Sequence, residues 1–203
     1  MKIGVISDGQ AESLALGEII KKISSRYSIM GRVLYSNIQP KSTPDQIAKS
    51  ASSNIDILSS KGVDKVVVIL DHEDRNDCPI DFANRIKKSL SQTASVEIDV
   101  VIKIRTFENW LISDPDGISQ MKSRFGNERQ LRKKVEPNKA DSITKAEEEL
   151  NSIIKKKNYH KRQDSKQILK SCDPYRMAKN SRSFRKFLRS LGDPAYSTQS
   201  KAP

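Results

Sequence analysis

The chain has 203 residues, and its 37 Lys and Arg residues against 25 Asp and Glu residues give a formal net charge of +12. That length accommodates one compact domain, or a domain with an appendage. No apolar run approaches the ~20 residues of a membrane span, and the start of the chain lacks the pattern of a secretion signal, so we expect a cytoplasmic protein. Cys78 and Cys172 have no metal-ligand spacing, which argues against a structural zinc site.

The positive charge is concentrated in the second half of the chain. Residues 1–112 contain 15 Lys and Arg against 14 Asp and Glu, whereas residues 113–203 contain 22 against 11. Such an asymmetry favours a polyanion partner, although a solvated basic face has the same composition. We therefore predict an α/β core at 1–112 and a basic helical extension at 113–203 that packs on the core and binds nucleic acid.

Strand-like and helix-like segments alternate in the first half. Lys2–Ser7 predicts a buried strand, and the apolar residues within 11–24 recur at helical spacing. Ser28–Tyr35 favours a second strand. The sequence Thr43-Pro44-Asp45-Gln46 combines a capping Thr, a Pro at the first helical position and a Gln three residues after the cap, so a helix is expected to start there and to end at Gly62.

The clearest strand is Val66–Leu70, whose five apolar residues run directly into Asp71. A run this short and this apolar is typical of a strand buried on both faces, and we place the strand at Asp64–Leu70. A helix from Cys78-Pro79 to Leu90 and a strand at Val96–Ile104 continue the alternation. The pattern predicts an α/β fold with a Rossmann-like parallel sheet of about four strands, in the order 2-1-3-4, with helices on both faces.

The second half is predicted to be helical. A longer helix is expected at Asp141–Lys157, because acids lie early in it and lysines late, as the helix dipole favours. Residues from Pro194 onward are expected to fray. The single Trp, Trp110, is expected to pack in the core. Shorter helices are predicted at Phe107–Ile112, from Asp114-Pro115, at Ser165–Lys170 and at Ser181–Leu191.

Acidic residues follow two of the predicted strands. In open α/β sheets, ligands bind beyond the carboxyl ends of the strands, and the predicted order places the first and third strands side by side. Carboxylates from separate loops are the ligands that Mg²⁺ prefers, and two such ions can support phosphodiester hydrolysis. Helix caps and a solvated turn would use the same residue types. The candidate metal ligands are Asp8, Glu12, Asp71, Glu73 and Asp74.

Other folds that place acids after strands fit less well. A phospho-receiver domain would need a hydroxyl after the fourth strand, for which Thr106 is a candidate, and a Lys after a fifth strand, but no such strand is evident. A haloacid-dehalogenase-type phosphatase would need Asp-x-Asp where this chain has Asp8-Gly9-Gln10. A phosphate-binding loop would need Gly-rich spacing followed by Lys-Ser or Lys-Thr, which is absent.

Several further residues are candidates for supporting or binding roles. Lys103 and Arg105, at the end of the fourth strand, would offset carboxylate repulsion or bind phosphate. Lys103, His72 and Glu108 are candidates for contacts behind the metal ligands, although a passive loop His and a surface acid are the plainer interpretations of the last two. His160 is expected to belong to a basic surface. Candidate nucleic-acid-binding residues are Lys155, Lys156, Lys157, Arg182, Arg185, Lys186 and Arg189, with a solvated amphipathic helix as the alternative for the last four.

Four stretches resemble a known family. Ser7-Asp8-Gly9-Gln10-Ala11-Glu12 is similar to the Glu-Gly-x-x-Glu motif of Toprim domains, found in topoisomerases, primases and overcoming-lysogenization-defect (OLD) nucleases, and Asp71-His72-Glu73 is similar to their Asp-x-Asp. Glu108–Asp114 and Ser181–Phe187 resemble the Glu-x-Trp-Leu-x-x-Asp and Ser-x-Ser-Phe stretches of small, uncharacterised bacterial Toprim-like proteins. Two positions differ: Asp8 is one methylene shorter than the Toprim Glu, and Glu73 is one methylene longer than the second Asp.

The resemblance implies a magnesium- or manganese-dependent nuclease with Asp8, Glu12, Asp71 and Glu73 as metal-binding and catalytic residues. It also implies a mobile-element or phage-defence setting with an ATPase partner. Two alternatives stay open: a non-catalytic nucleic-acid-binding or regulatory subunit with the same fold, and a toxin-like effector released by an ATPase sensor.

Overall fold

A single parallel sheet organises the chain. The computed structural model describes residues 1–73, 75–126 and 128–198. Its strands follow the order β2-β1-β4-β5, and β3 also pairs with β1; all four pairings are parallel. The predicted α/β class and the adjacency of β1 and β4 are confirmed. The strands are Lys2–Ser7 (β1), Ser28–Ile29 (β2), Leu34–Tyr35 (β3), Lys65–Asp71 (β4) and Glu97–Lys103 (β5).

The central strand β4 is buried on both faces, as its composition predicted. Successive side chains of a strand point to opposite faces. Accordingly, Val67 and Ile69 belong to one apolar cluster, while Val66, Val68 and Leu70 belong to another on the other side of the sheet. Each such side chain, fully buried, contributes about 1.5–3 kcal/mol relative to an exposed one. This double burial makes the end of β4 a well-anchored position for a functional group.

The predicted second strand at Ser28–Tyr35 is wrong as a single strand. It consists of the two short strands β2 and β3, which pair with the two ends of β1. Ser28 pairs with Lys2 and Leu34 pairs with Ile6, so six steps along this segment face four steps along β1. This segment therefore contains two more residues than the stretch of β1 that it faces, and its pairing with β1 is interrupted near Gly31. Glycine has no side chain, so the backbone bends readily there.

Helices cover both faces of the sheet. On one face, the helices Pro44–Ser60 (α2) and Pro79–Ser91 (α3) pack against β4 and β5. Helix α2 begins with the predicted capping box at Thr43, and Gly62, at φ +71°, follows its last turn. On the other face, α1 packs with the helices of the second half. The helices of the first half are Gln10–Ile20 (α1), Pro44–Ser60 (α2) and Pro79–Ser91 (α3).

After β5, every regular element among the described residues is a helix, and the one β-type pairing there is an isolated antiparallel bridge between Phe125 and Ile154. Trp110 is fully buried, stacks on Phe187 and donates its Nε1–H to Ser183 Oγ at 2.8 Å, which confirms the expected packing role. The helices are Phe107–Leu111 (α4), Pro115–Ser119 (α5), Glu128–Val135 (α6), Ala146–Ile153 (α7), Lys161–Ser171 (α8), Pro174–Asn180 (α9) and Arg182–Ser190 (α10), with 3-10 turns at Ala140–Ser142 and Pro194–Tyr196.

Apolar side chains from both halves share one cluster with β1, β4 and β5. The division into two parts at residue 112 stays a prediction. No helix in the described part of the chain combines the length and the apolar character needed to cross a membrane.

Two predictions about the second half are wrong. The helix expected at Asp141–Lys157 is shorter and covers only α7: Asp141 lies in a 3-10 turn before it, where its carboxylate accepts hydrogen bonds from Ser181 and Ser183, and Lys157 after it adopts φ +60°. Within the segment from Pro194, expected to fray, Pro194–Tyr196 form a 3-10 turn whose Tyr196 stacks on Tyr175, and residues 199–203 lie outside the described residues. Both differences depend on partners distant in sequence.

Gly192 and Gly62 offer a matched pair of stability predictions, since both have positive φ, +80° and +71°. A Cβ on Gly62 would meet nothing within 4 Å, whereas one on Gly192 would lie 2.1 Å from Tyr27 Cδ2. Gly62→Ala should lower the free energy of unfolding by about 1–2 kcal/mol, the cost of the left-handed backbone. Gly192→Ala should lose a further ~1–3 kcal/mol through overpacking. Urea unfolding of both variants measures the difference, and equal losses would contradict the contact with Tyr27.

Candidate active site

Three carboxylates converge at the carboxyl ends of β1 and β4. Asp8 follows β1, Glu12 lies in the first turn of α1, and Asp71 ends β4. One ligand oxygen from each lies within 4.8 Å of the others. This carboxylate cluster places Asp8 and Asp71 as close together as the sequence predicted, because parallel neighbouring strands end at the same edge of the sheet.

Local contacts hold the carboxylate cluster in place. Asp8 Oδ2 accepts a hydrogen bond from the backbone N–H of Asp71 at 2.8 Å, which ties the two strand ends together. Ser7 Oγ donates to Glu12 Oε2 at 2.9 Å. A Cβ at position 9 would lie 2.7 Å from Glu12 Cδ, so only Gly9 lets the Glu12 carboxylate fold back over the turn.

A buried lysine occupies the centre of the carboxylate cluster. Lys103 ends β5, and its Nζ lies 3.1 Å from Asp8 Oδ1, 3.1 Å from Asp71 Oδ1 and within hydrogen-bonding distance of Glu12 Oε2. The Lys103 side chain is 0 % exposed, and that of Glu12 is 1 % exposed. The expected role of Lys103 in offsetting carboxylate repulsion agrees with this placement, although the lysine is a direct partner of all three acids rather than a residue behind them.

One ammonium group cannot balance three carboxylates in a buried site. Burial raises the pKa of Asp71 well above its ordinary value, even though Lys103 opposes the rise. Burial likewise raises the pKa of Glu12. For Lys103, burial favours the neutral amine, but the charges of Asp71, Asp8 and Glu12 outweigh it and raise the pKa. Lys103 therefore stays charged, and three buried carboxylates beside one ammonium group favour either protonation of a carboxylate or the binding of a further cation.

A cavity of about 180 Å³ opens over the carboxylate cluster and is also lined by Lys161. Lys161 Nζ lies 3.2 Å from Glu108 Oε1, and Tyr159 Oη donates to the same oxygen at 3.4 Å. Burial alone would lower the pKa of Lys161, but the charges of Glu108, Glu12 and Asp71 raise it. Glu108 is therefore buried beside the cavity and pairs with one of its lysines, while its role in the site stays a prediction.

Sequence reasoning missed Lys161. It comes from the start of α8, far from every strand end, and lies among the many cations of the second half. No spacing rule distinguishes it from its neighbours Lys157 and Arg162. Its only sequence-level signal is its position one residue after His160, whose Nδ1 accepts a hydrogen bond from the Gln163 N–H and so caps α8.

The remaining predicted acids and His72 are placed differently. Glu73 lines the cavity at φ +50°, but its carboxylate is not part of the converging cluster found among the described residues. His72 is 7 % exposed and packs edge-on against Phe82. Burial lowers the pKa of His72, although Asp77 opposes the shift, with its Oδ1 3.5 Å from Nε2. Asp74 lies outside the described residues.

The predicted basic residues do not form one surface. Lys155, Lys156 and Lys157 are exposed, and Lys155 donates to a backbone carbonyl. Lys186, expected to be exposed, is only 6 % exposed and lies 3.6 Å from Asp99 Oδ1; that expectation is wrong because α10 turns this residue toward β5. Of the other candidates on α10, Arg182 is exposed, Arg185 donates to the Ala178 carbonyl and Arg189 is half-buried.

The fold and the site together define an α/β protein with a parallel sheet and an acidic cluster, centred on a buried lysine, at the carboxyl ends of adjacent strands. A family model described as a domain of unknown function (DUF4276) matches residues 8–192, and the chain belongs to that family. The matched region begins at Asp8 and includes Lys103 and Lys161. No curated protein and no solved structure matches the chain.

Proposed function

We propose that this protein is a divalent-metal-dependent nuclease of the Toprim-like type, using Mg²⁺ or Mn²⁺ to hydrolyse phosphodiester bonds. The observation that carries the proposal is the convergence of Asp8, Glu12 and Asp71, with ligand oxygens within 4.8 Å of one another, at the strand ends where α/β sheets bind ligands. The resemblance of residues 7–12 and 71–73 to the Toprim motifs agrees with this assignment.

The donor set fits a hard cation. Three carboxylates from different elements supply the oxygen ligands that Mg²⁺ and Mn²⁺ prefer. Asp71 Oδ1 is buried and accepts no well-formed hydrogen bond from the described residues, although Lys103 Nζ lies 3.1 Å away. An incompletely satisfied carboxylate oxygen in a site of excess negative charge favours cation binding.

Each residue has a distinct role in this proposal. When bound, the metal ion would lower the pKa of a coordinated water and offset charge on the phosphate. Asp8, Glu12 and Asp71 hold the ion, and Lys103 keeps the three carboxylates together. Lys161, at the cavity wall, binds a phosphate oxygen while Glu108 fixes its position. Hydrolysis forms one P–O bond from water and breaks the bond to a sugar oxygen, which takes up a proton.

One observation favours a second candidate function, a non-catalytic nucleic-acid-binding or regulatory subunit. Lys103 already supplies a cation to all three carboxylates, so the fold has a charge partner for them without a metal ion. In that case the carboxylate cluster would be a structural ion-pair network. We place either function in a mobile-element or phage-defence setting with an ATPase partner, on the resemblance alone.

Metal binding and cleavage separate the two functions. Isothermal titration with Mn²⁺ and Mg²⁺ should show saturable binding, and labelled RNA and supercoiled plasmid should be cleaved with either ion but not with excess chelator. An ATPase encoded next to this gene should be included in a parallel set of reactions, because an effector can be latent alone. Absence of cleavage in every combination, with no metal binding, would replace the nuclease by the binding subunit.

A further inference from the structure

A second cavity adjoins the candidate active site. It has a volume of about 650 Å³, and we call it the arginine groove; its lining includes His72, Glu73, Arg105, Asn138 and Arg182. Glu73 lines both this groove and the cavity over the carboxylate cluster. A third hollow of about 350 Å³, which contains Lys41, also shares Glu73. Since each pair of these cavities shares at least one lining residue, the three lie next to one another.

Two guanidinium groups in the arginine groove have no partner among the described residues. Arg105 and Arg182 form no ion pair and no side-chain hydrogen bond with the described residues, whereas the third arginine, Arg75, is paired with Asp77 and bound to the Pro40 carbonyl. Asp141, one of the two acids in the same lining, accepts hydrogen bonds from Ser181 and Ser183. Both free guanidinium groups are accessible for a ligand, since Arg182 is exposed and Arg105 is half-exposed.

The backbone around the arginine groove is held in an unusual conformation. Among the described residues, four that are not glycine have positive φ, and three of them line this groove: Glu73 at +50°, Arg105 at +70° and Asn138 at +57°. Such conformations are costly and concentrate at ligand-binding sites. The buried Nε2 of His72, in the same lining, makes no well-formed hydrogen bond with the described residues, although Asp77 Oδ1 lies 3.5 Å away. These independent features point to a bound ligand here.

We propose that the arginine groove binds the sugar-phosphate backbone of a nucleic-acid strand, with Arg105 and Arg182 each contacting a phosphate, and leads the strand past Glu73 to the carboxylate cluster. A polymer fits better than a small anion because cationic side chains also line the two adjacent cavities, Lys161 in one and Lys41 in the other. Arginine suits phosphate because its planar donors pair with two phosphate oxygens at once. The inference rests on the proposed function, because the neighbouring hydrolytic site identifies the anion as a phosphodiester.

The arginines that line the groove are not in the stretch of sequence where positive charge is densest. The densest run of lysines, residues 155–157, lies outside all three cavities, and Lys186 is buried. Arg105 comes from the weakly charged first half and Arg182 from the second, so the nucleic-acid path is built from both. Contacts of this kind position the backbone without reading base sequence.

Binding is tested by fluorescence anisotropy with labelled single-stranded DNA and RNA 20-mers, in excess chelator so that cleavage is prevented. For the double variant Arg105→Gln/Arg182→Gln, the slope of log affinity against log salt concentration should fall by about 1.4, which is about 25-fold weaker binding at 0.1 M salt if the affinities coincide at 1 M. The matched control, Lys49→Gln/Lys88→Gln, removes the same charge from exposed positions on α2 and α3. It should keep the wild-type slope.

The variant Lys156→Gln/Lys157→Gln tests the alternative, that the exposed lysine run binds the nucleic acid. Circular dichroism checks that every variant is folded. A groove variant that binds like the control pair would overturn the proposal, as would a larger loss in the rival variant or no binding by wild type at low salt. Metal titration and cleavage by wild type are separate measurements. If the groove variant shows no binding defect, the proposed nuclease activity is unaffected. If the protein binds nucleic acid along the groove but never cleaves it, only the nuclease activity is refuted. Comparison of the two probes identifies whether DNA or RNA is preferred.

Discussion

Lys103→Met is expected to lower the free energy of unfolding by about 3–5 kcal/mol, the usual cost of removing one partner of a buried ion pair. Asp8, Glu12 and Asp71 would keep their positions at the strand ends but lose the cation that all three contact. Met has nearly the length of Lys, so the loss reports the charge rather than a cavity. Urea unfolding at neutral pH in excess chelator measures it.

The destabilisation in Lys103→Met should depend on pH and on metal. Burial already raises the pKa of Glu12 and of Asp71 in the wild-type protein, and loss of Lys103 removes the group that opposes the rise. A carboxyl with a raised pKa binds more protons in the folded state than in the unfolded state, so the variant should regain stability as the pH falls. Mn²⁺ should also restore stability if the carboxylates bind it. A loss below about 1 kcal/mol, independent of pH, would contradict the charge-balancing role of Lys103.

Asp71→Asn is expected to lower the rate of metal-dependent cleavage by orders of magnitude, because it removes one of the three anionic ligands while nearly preserving shape. The fold should persist, since Lys103 keeps its contacts with Asp8 and Glu12. Plasmid nicking and RNA cleavage, each with Mg²⁺ and with Mn²⁺, measure the effect. Asp56→Asn, an exposed position on α2, is the control and should cleave like wild type. Equal activity of the Asp71 variant would exclude Asp71 as a metal ligand.

Stability gives an independent readout for Asp71→Asn. Burial is the main reason that the pKa of Asp71 is raised well above its ordinary value. At any pH above that ordinary value, the charged Asp71 carboxylate therefore lowers the stability of the folded state. In chelator, the variant should therefore be at least as stable as wild type at neutral pH. The difference between the two should shrink as the pH falls through the raised pKa, where the wild-type carboxyl is also neutral. A variant that is less stable at neutral pH would show that the pairing of Asp71 with Lys103 outweighs the cost of burial.

Local patterns were sufficient for part of the site. Asp8 and Asp71 follow strands whose apolar runs are read directly from the sequence, and the strand order places those ends together. Glu12 lies one helical turn beyond Asp8. By contrast, Glu73 has the motif position of a ligand but not the geometry, because the chain turns at φ +50° immediately after β4.

Lys161 and the arginine groove required the folded molecule. Lys161 reaches the carboxylate cluster only because α8 packs against α1, and Glu108, Tyr159 and Lys161 meet through three separate segments. Arg105 and Arg182, which line the same groove, likewise come from opposite halves of the chain. No local periodicity or capping signal contains such contacts.

The sequence by itself determined the α/β class, the buried strand β4, the start of α2 at Thr43 and the two strand-end aspartates. Each of these depends on side-chain period, apolar runs or caps within a few residues, which are interactions that short segments carry with them. Only the tertiary structure decided that Lys103 lies between three carboxylates, that Lys186 is buried and that Asp141 lies outside the helix predicted to begin there. The charge state and exposure of a side chain depend on neighbours that folding brings from distant positions, and those neighbours set its solvation and its ion pairs.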